Sequence, residues 1–410
     1  MPKLLVFCID ALCASDIEFM RTLPNFGQIL RHGALVEKVE PVFPALTYCC
    51  HTSILTGTYV GRHGIVHNEM LTRGGKSGAP WYSLKHQIKG KTLLDEAREQ
   101  GLTTCSLAWP VSGAADYDFN MPMIVPYSYQ GYEPEKWLVG TATANLMERY
   151  FYKHGRSLKG PTRSLDLFTM ALALDILEDY EQPDVRLVKM CDLDGVRHMH
   201  GVYHDKTRQQ LRTHDEELGA ILESLRRQGT LDDTNLLLKE HGFLQTDEAG
   251  NLVSFDAFCH SARLTAFIEL RDPEDSELVQ RTREFLESLR TDPEIQLDLV
   301  LDAKEAEREY GLVGPFDFVI ESRLPISFDE RTRGDSIWGS LTPDYHMVAA
   351  THGGSPRRQE LTTFFACGPS IQPTVVEDPR SMVDLAPTMA NMLGFSMTDI
   401  DGVPIKEILR

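Results

Sequence analysis

Residues 1–10 read MPKLLVFCID, an apolar run from Leu4 to Ile9 that ends on Asp10. Apolar character without polar alternation is what a strand buried on both faces of a parallel sheet needs. The run is too short, and too soon interrupted, for a secretory signal or a membrane span. Outward from it, strand-like and helical patterns alternate. A helical pattern covers Asp16 to Arg31, a helix from Lys91 to Gln100 closes on Gly101, and Thr103 to Trp109 is strand-like. Then come a helix near Ser164 to Tyr180, a strand Val185 to Met190, a helix near Thr207 to Arg227 and a strand Asn235 to Leu238. The second of these helices has an apolar stripe at Leu211, Leu218, Ile221, Leu222 and Leu225, on which His214 reads as a core-edge histidine.

Residues 255–345 break the rhythm with a strand-like Thr265 to Leu270, a helix-like Glu277 to Arg290 and two proline-containing loops. The alternation resumes at Leu361 to Cys367 and closes with a helix from Met382 to Leu393. The expected fold is α/β: a mostly parallel central sheet flanked by helices, built by residues 1–254 and 346–410, with 255–345 as an inserted smaller α+β subdomain. A chain of 410 residues exceeds what one hydrophobic core usually serves, in keeping with that division.

A formal net charge of -19 argues against wrapping nucleic-acid backbone or binding an anionic membrane, since both need a basic face. A small phosphate-bearing substrate stays compatible, because bound dications make the local field positive whatever the global sign. The eight cysteines form no CxxC pair, and several lie in apolar strand-like runs, which suits reduced core thiols in a cytoplasmic protein.

In an open parallel sheet, functional groups collect past the carboxyl ends of strands. Here those ends carry Asp10 after the first strand, Asp192 and Asp194 after Val185 to Met190, and Glu240 with His241 after Asn235 to Leu238. His352 lies in the glycine-rich THGGS ahead of Leu361. Alone, an aspartate after a strand is most often a helix cap, and a lone histidine a surface or core residue. Together they make the inventory of oxygen and imidazole donors that a two-metal site needs. Asp194 and His198, four apart, share one face where the segment is helical; Asp192, His200 and His204 are alternative ligands close by.

Residues 41–70, PVFPALTYCCHTSILTGTYVGRHGIVHNEM, bring a proline-bounded strand end to Thr47 at the start of a helix expected to run to about Leu55. Thr47 is there either a helix cap or a nucleophile. A hydroxyl at a helix N-terminus sees the positive dipole end and free backbone N–H groups, which suits attack on an anionic phosphoryl centre.

From Phe43 to Met70 the chain resembles the nucleotide pyrophosphatase/phosphodiesterase branch of the alkaline phosphatase superfamily: the threonine after a proline-containing strand end, Thr56 and Gly57, the HGI of His63 to Ile65, and Asn68. Asp194, His198 and Gly201 match that family's D-x-x-x-H-x-x-G, Glu240-His241-Gly242 stands where it has Asp-His-Gly, and His352-Gly353 matches its late HG. The C-terminal VDLAPTMANMLGF, followed by DGVPI, looks like its closing helix and strand. The resemblance runs from Asp10 to Ile405 and is weakest at about 110–165 and 255–345.

The resemblance implies an alkaline-phosphatase-like fold holding two divalent metal ions, one at Asp194, His198 and His352 and one at Asp10, Thr47, Glu240 and His241. Zinc is the favoured metal. Glu240 departs from the family's aspartate by one methylene. The implied reaction is hydrolysis of phosphodiester or pyrophosphate bonds through a phospho-threonine at Thr47, with Asn68 binding a non-bridging oxygen. An asparagine at this place accompanies diester or pyrophosphate substrates in the family, whereas monoesterases tend to place an arginine. The alternatives are a phosphonate hydrolase of the phosphonoacetate hydrolase kind and a catalytically inactive member; no Cys/Ser-x-Pro-x-Arg segment marks a sulfatase. The expected partner is a small phosphate ester, with neither a nucleic-acid polymer nor a membrane. Trp81, Tyr82, Trp109, Tyr127, Tyr129 and Tyr132 are open between stacking on the substrate's organic group and packing.

Overall fold

The computed structural model describes residues 2–71, 73, 80–123, 134–158, 164–231, 234–239, 257–292, 295–323, 327–328, 350–357 and 360–410. Its strands in chain order are β1 (Lys3–Ile9), β2 (Ala34–Glu40), β3 (Thr104–Leu107), β4 (Phe119–Met121), β5 (Val185–Met190), β6 (Thr234–Lys239), β7 (Ala257–Ala262), β8 (Thr265–Leu270), β9 (Leu297–Asp302), β10 (Phe318–Ser322), β11 (Thr362–Cys367), β12 (Thr374–Val376) and β13 (Arg380–Ser381). The helices that matter for the site and its support are α1 (Pro24–His32), α2 (Thr47–Thr56), α3 (Leu165–Asp179), α4 (Asp192–His200), α5 (Asp205–Gln228), α6 (Ser276–Ser288) and α7 (Leu385–Met392).

The large sheet has the order β12-β2-β11-β6-β1-β5-β3-β4, with β13 also pairing β2. β1 lies at its centre, parallel to both β5 and β6, while β11 runs antiparallel to β6 and β2. The side chains of β1 show why such a strand must be apolar throughout. Leu4, Val6 and Cys8 enter one core with Cys49 and Ile54 of α2 and Met389 of α7, whereas Leu5, Phe7 and Ile9 enter the opposite core with Phe26 of α1, Phe168 of α3 and Leu218 of α5. Successive residues of a strand face opposite ways, so both faces of a helix-covered sheet demand hydrophobic partners. The architecture is the α/β class, a mostly parallel sheet flanked by helices.

β7 to β10 form a separate antiparallel sheet in the order β7-β8-β10-β9. Ala266, Ile268, Phe318 and Ile320 on one face pack with Leu278 and Leu286 of α6. Phe267, Leu301 and Val319 join the main core on the α2 side. The helix expected over Asp16 to Arg31 is broken instead: short turns cover Ala14–Asp16 and Ile17–Met20, and α1 begins afresh at Pro24. Proline lacks the N–H that would continue the ladder and pushes the preceding residue out of helical geometry; Leu23 is extended at φ -86°, ψ 149°. Among the described residues, no helix is long and apolar enough to cross a membrane.

Candidate active site and metal centre

β1 and β5 end side by side: Ile9 pairs with Met190, and the Asp10 N–H donates to the Met190 carbonyl at 2.8 Å. β5 runs directly into α4, whose first free N–H groups are met from another helix. The buried Asp166 of α3 accepts from the N–H groups of Cys191 at 2.6 Å and Asp192 at 2.8 Å. That fixes the direction in which α4 carries Asp194 and His198, both buried and one turn apart. The Ala350 carbonyl, an acceptor, takes a hydrogen bond from His198 Nδ1–H at 2.8 Å, so Nε2 faces Asp194 Oδ1 at 3.3 Å. His352 completes the group: one ligand atom from each of Asp194, His198 and His352 lies within 4.8 Å of the others.

Burial raises the Asp194 carboxyl to about 7. Burial opposes charging of His198, and Asp194 outweighs it, leaving the imidazole above its ordinary value. With Asp194 and His198 buried and His352 half-buried, the three residues favour an added positive charge, which a dication supplies as well as a proton does. Asp194 Oδ2 is buried and has no hydrogen-bond partner among the described residues. One carboxylate and two imidazoles at this spacing suit zinc. The three alternative ligands go elsewhere. Asp192 accepts from Ser164 Oγ at 2.8 Å; His204 caps α5 by accepting the Lys206 N–H at 3.1 Å and stacks on His200 with ring centroids 5.2 Å apart. Glu240 and His241 lie outside the described residues.

Thr47 is the first residue of α2, and Leu46, not Thr47, is the N-cap. The Thr47 hydroxyl therefore caps nothing. It is buried and has no hydrogen-bond partner among the described residues. Asn68, also buried, accepts the Tyr48 N–H through Oδ1 at 3.0 Å, which orients its amide beside Thr47. Its Nδ2 donor has no acceptor among the described residues. Buried polar groups are almost always satisfied, so two left open side by side mark a place for a ligand. α2 is tied to β1 and to its own first turn through His51, whose Nδ1–H donates to the Thr47 carbonyl at 2.7 Å and whose Nε2 lies 3.5 Å from Cys8 Sγ. The loop bearing His352 packs against the same helix start: a Cβ on Gly353 would lie 3.4 Å from Leu46 Cδ2 and 2.0 Å from the Ala262 carbonyl, and φ there is +86°. Only glycine fits that approach.

Several supports are absent from the motif pattern. Lys189 Nζ lies 2.5 Å from Asp10 Oδ2, both side chains fully buried. Burial disfavours the ammonium, but Asp10 and then Cys191 hold its pKa above the ordinary lysine value. Arg197 of α4 grips both Asp16 oxygens at 2.6 and 2.7 Å and donates to the carbonyl of Ala11, which sits at φ 64°. Glu321 of β10 accepts the N–H and the hydroxyl of Ser355 at 2.8 and 2.9 Å, anchoring the THGGS loop. His67 Nε2–H donates to the Ser261 carbonyl at 3.1 Å, tying the Asn68 segment to β7. Trp81 packs edge-on to Tyr48 at 5.1 Å and Trp109 edge-on to His51 at 5.0 Å, both buried in packing roles. Tyr127, Tyr129 and Tyr132 lie outside the described residues.

The family model for type I phosphodiesterase / nucleotide pyrophosphatase matches residues 4–352. The chain belongs to this family. Bovine ectonucleotide pyrophosphatase/phosphodiesterase family member 3 is 24% identical over 258 residues, covering 60% of this chain but 25% of the bovine protein. The chain thus spans about a quarter of that relative's length. Human family member 7 is 22% identical over 392 residues, covering 92% of this chain and 77% of the human one. Among solved structures, murine ectonucleotide pyrophosphatase/phosphodiesterase 5 superposes with a TM-score of 0.69 at 17% identity, each chain covered in full. An inactive variant of the same murine protein has been solved in complex with AMP. The phosphodiesterase-family fold is therefore shared over the whole chain.

Proposed function

We propose that this phosphodiesterase-family chain hydrolyses phosphodiester or pyrophosphate bonds of small, nucleotide-like substrates through a covalent intermediate on Thr47. One observation carries the reading: the Thr47 hydroxyl and the Asn68 Nδ2 are buried, adjacent and without partners among the described residues, next to the loop that bears His352. Family membership and the AMP complex of murine member 5 support the substrate class.

In the first step a bond forms from Thr47 Oγ to phosphorus while the ester bond to the leaving oxygen breaks; the electron pair departs with that oxygen, which takes up a proton. In the second, a water oxygen bonds to phosphorus, the bond to Thr47 Oγ breaks, and Thr47 regains its proton. Asn68 Nδ2–H donates to a non-bridging oxygen whose charge grows in each step. Asp194, His198 and His352 would hold one divalent ion, and Asp10 and Thr47, with Glu240 and His241, a second. When bound, such ions lower the pKa of the attacking hydroxyl and stabilise charge on the departing oxygen. The Ala350 carbonyl keeps the His198 proton on Nδ1 and its Nε2 turned inward. Lys189 holds Asp10 in place.

The testing experiment compares zinc-loaded protein on a bis-aryl phosphodiester, a nucleotide aryl ester, a phosphomonoester and phosphonoacetate. Diester turnover should be highest, lost on chelation and regained with zinc. Fastest turnover of phosphonoacetate would replace this function with phosphonate hydrolysis. Elemental analysis after dialysis reads the role of Glu240: as a direct ligand, its change to Gln costs metal at one site, and full occupancy would contradict it. A cytoplasmic location belongs to the same proposal, supported by eight cysteines none of which forms a disulfide among the described residues, and imaging of the tagged chain outside the cytoplasm would overturn it.

A further inference from the structure

His214 shares the buried face of α5 with Leu211, Leu218 and Ile221, and it is fully buried itself. An imidazole among leucines is costly unless polar groups meet its nitrogens. Here carboxylates face both of them. Nδ1–H donates to Glu217 Oε2 at 2.7 Å, and Nε2 stands 4.0 Å from Asp166 Oδ2 of α3. The Gln210 amide reaches that second nitrogen at 3.4 Å. Burial opposes the imidazolium, but Glu217 and then Asp166 outweigh it and hold His214 above its ordinary value.

Asp166 is the link from His214 to the site. Its two oxygens accept the two N–H groups that open α4, those of Cys191 and Asp192. Only a carboxylate serves both, because protonation turns one of the oxygens into a donor. Burial and the nearby Asp192 push Asp166 toward the protonated form, and His214 opposes them. Among the described residues no other side chain forms an ion pair with Asp166. His214 therefore supplies the charge that keeps Asp166 fastened to α4.

Asp194 and His198 move with α4, whereas His352 belongs to a loop that Glu321 of β10 anchors separately. The three can close on one ion only where α4 leaves β5 in the right direction. We infer that His214 is a positioning residue of the metal centre: through Asp166 it fixes the first turn of α4, and with it the placement of Asp194 and His198 against His352. Partners one layer behind metal ligands commonly set affinity in this way. The inference rests on reading those three residues as the ligands of one ion, and it extends their support to a helix that supplies no ligand.

A double-substitution cycle read by zinc competition against a chromophoric chelator tests it, following the ion whose binding Asp194→Ala abolishes. His214→Gln and Asp166→Asn should each weaken that ion about 10- to 100-fold. The pair together should be within about 3-fold of the weaker single variant, because both act through one contact. Hydrogen exchange at the Cys191 and Asp192 amides should quicken in both variants. His214→Asn, which keeps a donor toward Glu217, gives the same reading should the Gln variant fold poorly. A lowered Tm with zinc affinity unchanged, or two losses that multiply in the pair, would overturn the inference and leave the metal centre standing. Absence of zinc binding in the wild type would overturn both.

Discussion

The two flanks of the site are held by different forces. Around Thr47 all ten residues of α2 are buried, and the polar groups are hydroxyls, one amide and uncharged imidazoles: burial takes His63 down to about 3 and His67 to about 4. Across from it, the ends of β1 and β5 and the start of α4 concentrate buried charge in Asp10 with Lys189, Asp16 with Arg197, and Asp166 near His214. Neutral packing holds the Thr47 hydroxyl and the Asn68 amide rigid at little electrostatic cost. Buried charge is costly unless each group is paired, so it persists where a cation is to be received. Under the proposed function, the difference separates the positioning of the Thr47 oxygen from the accommodation of the ion proposed at Asp194, His198 and His352.

The largest break to that contrast is Thr47→Ala. It should leave metal content and thermal stability near wild type while lowering diester turnover at least ~1000-fold, as removal of a nucleophile does. Loss of both ions together with turnover would mean that Thr47 serves chiefly as a metal ligand, since the other six proposed ligand side chains remain. On the charged flank, Lys189→Gln strands Asp10 and should destabilise the metal-free chain by about 3–5 kcal/mol, with much of it recovered on adding zinc. A zinc-induced rise in Tm no greater than that of the wild type would show that Lys189 does not stand in for a cation. Asn68→Ala should lower diester kcat/KM about 100-fold with Tm unchanged, the scale of one lost oxyanion donor; unaltered kinetics would leave Asn68 only its bond to Tyr48.

The smallest effect sharpens the neutral side. His63 titrates near 6.5 when unfolded and about 3 when folded, so below pH 6.5 the folded chain binds fewer protons than the unfolded one. Its contribution to stability is complete above that pH and is lost as the pH falls toward 3. Denaturation at pH 6.5 and 4.5 should show His63→Gln losing about 2–3 kcal/mol less than wild type between the two. Equal losses would mean that His63 carries charge in the fold.

What could be read from the sequence follows from the range of each signal. β1, α2 and the end of β5 were legible because periodicity and strand-end carboxylates are local, and Asp194 with His198 needed only one helical turn. The break at Pro24 is not legible because the helical pattern of residues 16–31 runs on through a residue that cannot donate. Lys189 was hidden since a lysine at the end of VRLVKM looks like a solvated strand end, and its partner Asp10 is 179 residues away. Glu321 and Asp166 act on a loop and a helix start distant in sequence, and nothing in their neighbours announces it.

The central claim is that Thr47 takes the phosphoryl group, and acid quenching during turnover of a labelled phosphodiester tests it most directly. Peptide mapping of the quenched protein should find the phosphoryl group, with its retained ester, on the peptide containing Thr47, and none in Thr47→Ala. Label on another residue, or full turnover with no covalent label at any time, would contradict the account.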